Sequence, residues 1–307
     1  MWVGSRMTIA VGLALYVVGR RGARGRRLPV PESSEGLEAR HTVSVAAKFP
    51  VLCDLDGVVW LMREPIPGSP EAIRALRDAG HDVWFVTNNS HAPVDEQAEA
   101  LEAIGVPPMG RLLTAAEAAA ACVSSGDRVV LGGGPGVEHE LARRGVEVVA
   151  RGHEQGAGSA DCDAVVVGIH FDFDYSGLRR LSAAARRCGR LIATNGDVTY
   201  PTSRGEIPGG GAIVAAVAAA SGLEPVIAGK PHEPMARLVR ERLGLVDLSG
   251  AWMVGDRRST DGTFAARLGC RFALVESGVD TDDAHGVEVH LRSASLAEAV
   301  PHILGAA

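Results

Sequence analysis

Val51-Leu52-Cys53-Asp54-Leu55-Asp56-Gly57 runs from three apolar residues into two carboxylates at i and i+2 and then a glycine. A short apolar run bounded by a turn signal predicts a buried strand, and the Asp-x-Asp-Gly segment predicts the turn that leaves it. If the chain bends there, both carboxylates face one cleft. Asp-x-Asp-Gly also opens calcium loops, but an EF-hand needs further acidic ligands on alternate positions and a glutamate at the twelfth. Val58, Val59 and Trp60 occupy that space instead. Taken alone, the segment leaves an ordinary solvated turn open.

The same pattern recurs along the chain. Val83-Trp84-Phe85-Val86 precedes Thr87-Asn88-Asn89, Val226-Ile227-Ala228 precedes Lys230, and Trp252-Met253-Val254 precedes Asp256 and Asp261. Phe272-Ala273-Leu274-Val275 is a further run, and helical stretches such as Glu71 to Ala79 and Ala212 to Ala220 lie between them. Apolar runs alternating with helices predict an α/β fold with a doubly wound parallel sheet. In such a sheet ligands bind outside the carboxyl ends of the strands, so the polar residues after each run are expected to converge. The stretch from Thr87 to Lys230 is far longer than one crossover needs, and Val129-Val130-Leu131, Val146 to Val149, Ala164 to Val167 and Leu191-Ile192-Ala193 read as further strands within it. A second α/β unit is therefore expected at about 112–203, with the first resuming at the Gly209-Gly210-Gly211 helix start.

The converging residues suit phosphoryl transfer, which needs an in-line nucleophile, a divalent cation to screen phosphate charge, and donors for the transferred oxygens. Asp54 and Asp256 offer the hard oxygen ligands that Mg²⁺ prefers. Thr87 and Asn88 can donate to phosphate oxygens. Lys230 supplies a compact charge with three donors, which the planar arginine fork does not reproduce beside a carboxylate. Of 31 basic residues only Lys48 and Lys230 are lysine, so its presence there fits a specific demand.

Composition narrows the alternatives. The chain has 307 residues, 46% apolar and 22% charged, which suits a folded two-domain protein. A formal charge of -6 argues against nucleic-acid binding. The five cysteines are scattered without a C-x-x-C pair, suggesting neither a disulfide framework nor a zinc site and fitting a reducing cytoplasm. Gly132-Gly133-Gly134-Pro135-Gly136 is not G-x-G-x-x-G in any register, and Gly209-Gly210-Gly211 does not continue into a P-loop. Residues 1–46, with a short apolar run from Met7 to Val18 followed by an arginine-rich stretch, read as a peripheral, disordered extension, with a weak membrane-surface anchor as the alternative, rather than as a membrane span or secretory signal.

These residues resemble the haloacid dehalogenase-like hydrolases, subclass IIA, from about Val51 to Val279. The likeness rests on Asp54-Leu55-Asp56-Gly57-Val58-Val59, Thr87-Asn88-Asn89-Ser90, Gly229-Lys230-Pro231 and Gly255-Asp256-Arg257 through Thr260-Asp261. It extends to Ala193-Thr194-Asn195 with Asp197, to Tyr200-Pro201 and to Pro208 through Gly211. The resemblance implies a catalytic core at 47–111 and 204–307 and a cap at 112–203. It implies a Mg²⁺-dependent phosphatase in which Asp54 becomes an aspartyl-phosphate and Asp56 serves as general acid and then base. The implied metal ligands are the Asp54 and Asp256 carboxylates and the Asp56 main-chain carbonyl, with Asp261 supporting them. Thr87, the Asn88 amide and Lys230 are implied to bind the phosphoryl group. The expected partner is a small phosphorylated metabolite, with no nucleic acid and no firm membrane association, and a homodimer is left open. A phosphotransferase or mutase of the same superfamily, or a phospho-accepting receiver module, are the alternatives. Gly196, Arg258, Gly262 and His170 depart from the family pattern without removing a catalytic group.

Overall fold

The computed structural model describes residues 49–202, 205–278 and 286–305. The expected extension at 1–46 and the end of the likeness at Val279 lie outside the described residues. From the amino side come β1 (Val51–Cys53), a hairpin of β2 (Trp60–Leu61) and β3 (Glu64–Pro65), α1 (Ser69–Asp78), β4 (Val83–Thr87), α2 (Val94–Ala103), β5 (Leu112–Thr114) and α3 (Ala115–Ala120). Next are β6 (Arg128–Gly132), α4 (Pro135–Arg143), β7 (Glu147–Arg151), β8 (Ala164–Val167), α5 (Tyr175–Cys188) and β9 (Leu191–Ala193). The hairpin of β10 (Thr199–Thr202) and β11 (Gly205–Pro208), then α6 (Gly210–Ser221), β12 (Val226–Ile227) and α7 (Glu233–Leu243) follow. The chain closes with β13 (Trp252–Gly255), α8 (Thr263–Leu268), β14 (Arg271–Val275), β15 (Leu291–Ser293) and α9 (Leu296–Gly305).

Six parallel strands form the main sheet in the order β15-β14-β13-β1-β4-β5, with Cys53 opposite Val254 on one side and Phe85 on the other. Its central strands are apolar throughout because both faces are covered by helices. Alternate residues divide between the two faces. Leu52, Trp84, Val86 and Met253 pack with Met235 and Val239 of α7 and Phe264 of α8. Val51, Cys53, Phe85 and Val254 pack with Ile73 and Leu76 of α1 and Val300 and Ile303 of α9.

A second parallel sheet has the order β12-β9-β8-β6-β7. One face, with Val130, Val165 and Ala193, packs on Leu181 of α5 and Val217 of α6. The other, with Val129, Leu131 and Ile192, belongs to the same apolar cluster as the α7 side of the main sheet. Between them lies α3, every residue of which is buried; it contacts both α4 and α7. Its Ala-Ala-Glu-Ala-Ala-Ala sequence lets two helices approach it closely without overpacking.

Sheet membership differs from the sequence expectation at both joints. Leu112–Thr114, expected to begin the second unit, completes the main sheet by pairing Leu112 with Phe85. Val226–Ile227, expected in the main sheet, pairs with Ile192–Ala193 at an edge of the second. The helix expected to resume the first unit, α6, packs against α5. The reason is one of available edges: β5 and β14 flank β4 and β13 in the main sheet, whereas β9 has an open side for a two-residue strand.

The β2–β3 hairpin turns through Met62 and Arg63, with φ 53° and 69°. A two-residue turn with positive φ at both positions is the type I′ geometry, which favours Asn-Gly because side chains are strained there by about 1–3 kcal/mol each. Among the described residues no helix is long and apolar enough to cross a membrane.

Candidate active site

Adjacency of β1, β4 and β13 brings their carboxyl ends together, and with them Asp54, Thr87 and Asp256. The Asp54 N–H donates to the Val254 carbonyl at 2.9 Å, fixing where the chain leaves β1. Gly57 then turns with φ 85°, and a side chain there would lie 2.4 Å from Asp256 Oδ2. Only glycine lets the turn close over that carboxylate. Asp54, Asp56, Thr87, Asn88, Lys230 and Asp256 all line one cleft of about 290 Å³. Lys230 reaches it from the loop after β12, so the cleft is built by both sheets rather than by the main sheet alone.

Lys230 is 1% exposed and sits between two carboxylates, its Nζ 2.9 Å from Asp54 Oδ1 and 2.8 Å from Asp261 Oδ1. Burial by itself would lower its pKa, but the charges of Asp261 and Asp54 outweigh this and raise it, so the ammonium form persists. Asp54 Oδ1 also accepts the Leu55 N–H at 2.7 Å. Burial, followed by the Asp54 charge, pushes Asp56 up to about 6, against a hydrogen bond from the Trp60 side chain. A carboxyl near 6 can give and take a proton close to neutral pH.

Asp54, Asp256 and Asp261 each present a carboxylate oxygen within 4.8 Å of the others. Burial and then neighbouring carboxylates raise the pKa of Asp256. For Asp261, burial and the Asp54 charge outweigh the opposing Lys230 charge. A hard oxygen cluster in which negative charge is this costly fits a divalent cation of the Mg²⁺ type. Asp261 is fully buried with both oxygens engaged, Oδ1 by Lys230 and Oδ2 by the Arg257 N–H at 3.3 Å, so it is suited to hold Lys230 rather than to face a ligand. The Asp56 carboxylate lies outside the three-carboxylate group.

Asn88 is used differently from a simple phosphate donor. Its Nδ2 donates to Asp197 Oδ2 at 3.0 Å and to the Lys230 carbonyl at 3.1 Å, while its Oδ1 accepts the Lys230 N–H at 2.8 Å. The side chain therefore ties the two units together. Asn195, Asp197 and Tyr200 also line the cleft, as do Leu61, Met62, Ile169 and Arg257. The sequence reading gave these no site role. Asn195 and Asp197 follow β9 as Asn88 follows β4, and the strand-end rule applied to the second sheet would have found them; Leu61 and Met62 carry no such signal.

Two family models match the chain: haloacid dehalogenase-like hydrolase over residues 51–147 and HAD-hydrolase-like over residues 227–299. The D-glycerol 3-phosphate phosphatase of Mycobacterium tuberculosis is 34% identical over 236 residues, 75% of this chain and 64% of that one, so the match spans less than two thirds of that relative. The 5'-nucleotidase YutF of Bacillus subtilis is 31% identical over 265 residues, covering 82% of this chain and 97% of that enzyme. The crystal structure of a glycerol phosphate phosphatase from Mycobacterium tuberculosis in complex with magnesium superposes with a TM-score of 0.72 at 30% identity, covering 83% of this chain and 76% of that one.

Proposed function

Because the chain belongs to the haloacid dehalogenase-like hydrolases, subclass IIA, we propose that it is a Mg²⁺-dependent phosphatase of small phosphomonoesters, with Asp54 as nucleophile and Asp56 as general acid and base. The observation that carries this reading is Asp54, paired with the buried Lys230, in the same cleft as the separately tuned carboxyl of Asp56. Lys230 holds and orients the Asp54 carboxylate for attack on phosphorus. Asp56 protonates the departing alcohol, and as a carboxylate it then takes a proton from the water that opens the aspartyl-phosphate. Thr87 and the Asn88 N–H orient the phosphoryl oxygens. Asp54, Asp256 and the Asp56 carbonyl would hold the cation, which screens phosphoryl charge when bound. Loops of the second sheet close the far side of the cleft and limit bulk water.

The test is phosphate release from p-nitrophenyl phosphate with and without Mg²⁺. Release is expected to require the cation and to fall by about 10²–10⁴-fold or more in Asp56→Asn, with Asp54→Asn inactive. Full activity in either variant sinks the assignment. Independently of turnover, Mg²⁺ at 100 times its Kd is expected to stabilise the protein by about 2.7 kcal/mol in thermal unfolding, an effect lost in Asp256→Asn.

A further inference from the structure

Two thiols meet at the end of the second sheet away from the cleft. Val165 of β8 lies opposite Leu191 of β9 in the parallel register, and Cys162 and Cys188 each precede that pair by three residues. The two segments therefore enter the sheet side by side, and the Cys162 thiol lies within hydrogen-bonding reach of the Cys188 thiol. Both are half-buried against the apolar cluster that the second sheet shares with α5. The Cys188 S–H donates toward the Arg190 and Ala185 carbonyls at 3.5 and 3.7 Å, which holds its sulfur at the carboxyl end of α5. All five cysteines are free thiols, and no second thiol acts on Cys53, Cys122 or Cys270.

The surroundings of this pair differ from those of a packed structural cysteine. Cys188 is flanked in sequence by Arg186, Arg187 and Arg190, and it is partly open to solvent. Positive charge, access and a second thiol in reach are what make a cysteine reversibly oxidisable. Burial, and then the charge of Cys188, push Cys162 up to about 12, against the Arg187 charge. Conversion of Cys188 to a neutral sulfenic acid removes that repulsion and leaves the Arg187 attraction. Oxidation of the first thiol thus favours the thiolate of the second.

We propose that Cys162 and Cys188 are a reversible disulfide site, with hydrogen peroxide as the oxidant, that ties the carboxyl end of α5 to the entry of β8. The Cys188 sulfur takes one oxygen from peroxide as the O–O bond breaks, giving the sulfenic acid and one water. The Cys162 sulfur then attacks the Cys188 sulfur: the S–S bond forms, the S–O bond breaks, and the hydroxyl leaves with the Cys162 proton as a second water. The two thiols lose two electrons and two protons, and peroxide is reduced to two waters. An external dithiol reverses the bond by exchange. Ile169, Asn195 and Asp197 reach the cleft from the opposite ends of β8 and β9, so the bond braces the second unit without touching the catalytic groups. It is independent of the phosphatase reading.

The experiment treats the folded full chain with hydrogen peroxide, blocks the remaining thiols and maps the peptides by mass spectrometry with and without dithiothreitol, alongside thermal unfolding. Wild type and Cys122→Ser are expected to yield one dithiothreitol-sensitive linkage, joining Cys162 to Cys188. Both are expected to unfold roughly 5–10 °C above their reduced forms. Cys162→Ser and Cys188→Ser are expected to show neither the linkage nor the shift. Free Cys162 and Cys188 thiols after peroxide, a linkage to another cysteine, or oxidation that stops at a Cys188 sulfinic acid overturns the inference. A linked protein that unfolds at the reduced temperature overturns the tie on α5. The wild-type peptide map decides the linkage even where a serine variant fails to fold.

Discussion

Lys230 shows how one side chain can hold a site together. It is buried between Asp54 and Asp261, so removing it leaves two carboxylates without their cation in a low-dielectric interior. Lys230→Met is expected to lower unfolding free energy by about 3–5 kcal/mol in metal-free buffer, measured by urea denaturation. Lys230→Arg is expected not to rescue activity, because a planar fork cannot occupy a point between two carboxylates. At this scale much was legible: Asp54, Thr87, Lys230 and Asp256 each follow an apolar run, and the near absence of other lysines marked Lys230. The Asn88 side chain was not legible, since its partners, Asp197 and the Lys230 backbone, are more than a hundred residues away.

Among the elements, α4 carries a local electrostatic cost. Glu140 is 3% exposed, and burial raises its pKa despite the Arg143 guanidinium 3.2 Å away, with the Glu117 charge adding to the rise. A carboxyl whose pKa is higher folded than unfolded binds more protons in the folded state. Its contribution is therefore most favourable below the unfolded value and becomes a penalty as pH rises through the folded one. Glu140→Gln is expected to raise the unfolding temperature at pH 8, with the gain shrinking toward pH 4. A gain independent of pH would contradict the burial argument. Helices were readable from apolar positions repeating every 3.6 residues, and central strands from short continuous apolar runs that end in turn residues. The β2–β3 hairpin was not, because Met62-Arg63 lacks the Asn-Gly chemistry its turn favours.

Across the whole molecule, the two units meet along the loop after β4. Ser90 Oγ lies 3.0 Å from Thr194 Oγ1, Asn195 Nδ2 donates to the Asn88 carbonyl at 2.8 Å, and the Gly136 N–H donates to the His91 carbonyl at 2.8 Å. Gly136 has no room for a side chain: a Cβ there would lie 2.4 Å from the Ala92 carbonyl oxygen and 2.8 Å from that of Ser90. Gly136→Ala is expected to shift one unit against the other and lower kcat/KM by roughly 10–100-fold with far-UV circular dichroism unchanged, since small misplacements remote from the chemistry are costly. Wild-type kinetics in that variant would show that the contact does not set the cleft. The sequence by itself determined the α/β class, the strand-end positions of Asp54, Thr87 and Asp256, and the presence of an inserted unit, because apolar runs and turn residues are local properties. Only the tertiary structure decided that β5 joins the main sheet, that β12 and Lys230 come from the second, and that Leu61, Met62 and Tyr200 share a cleft with Asp54. Those outcomes depend on which sheet edge is open and which surfaces meet, and no local pattern of residues encodes that.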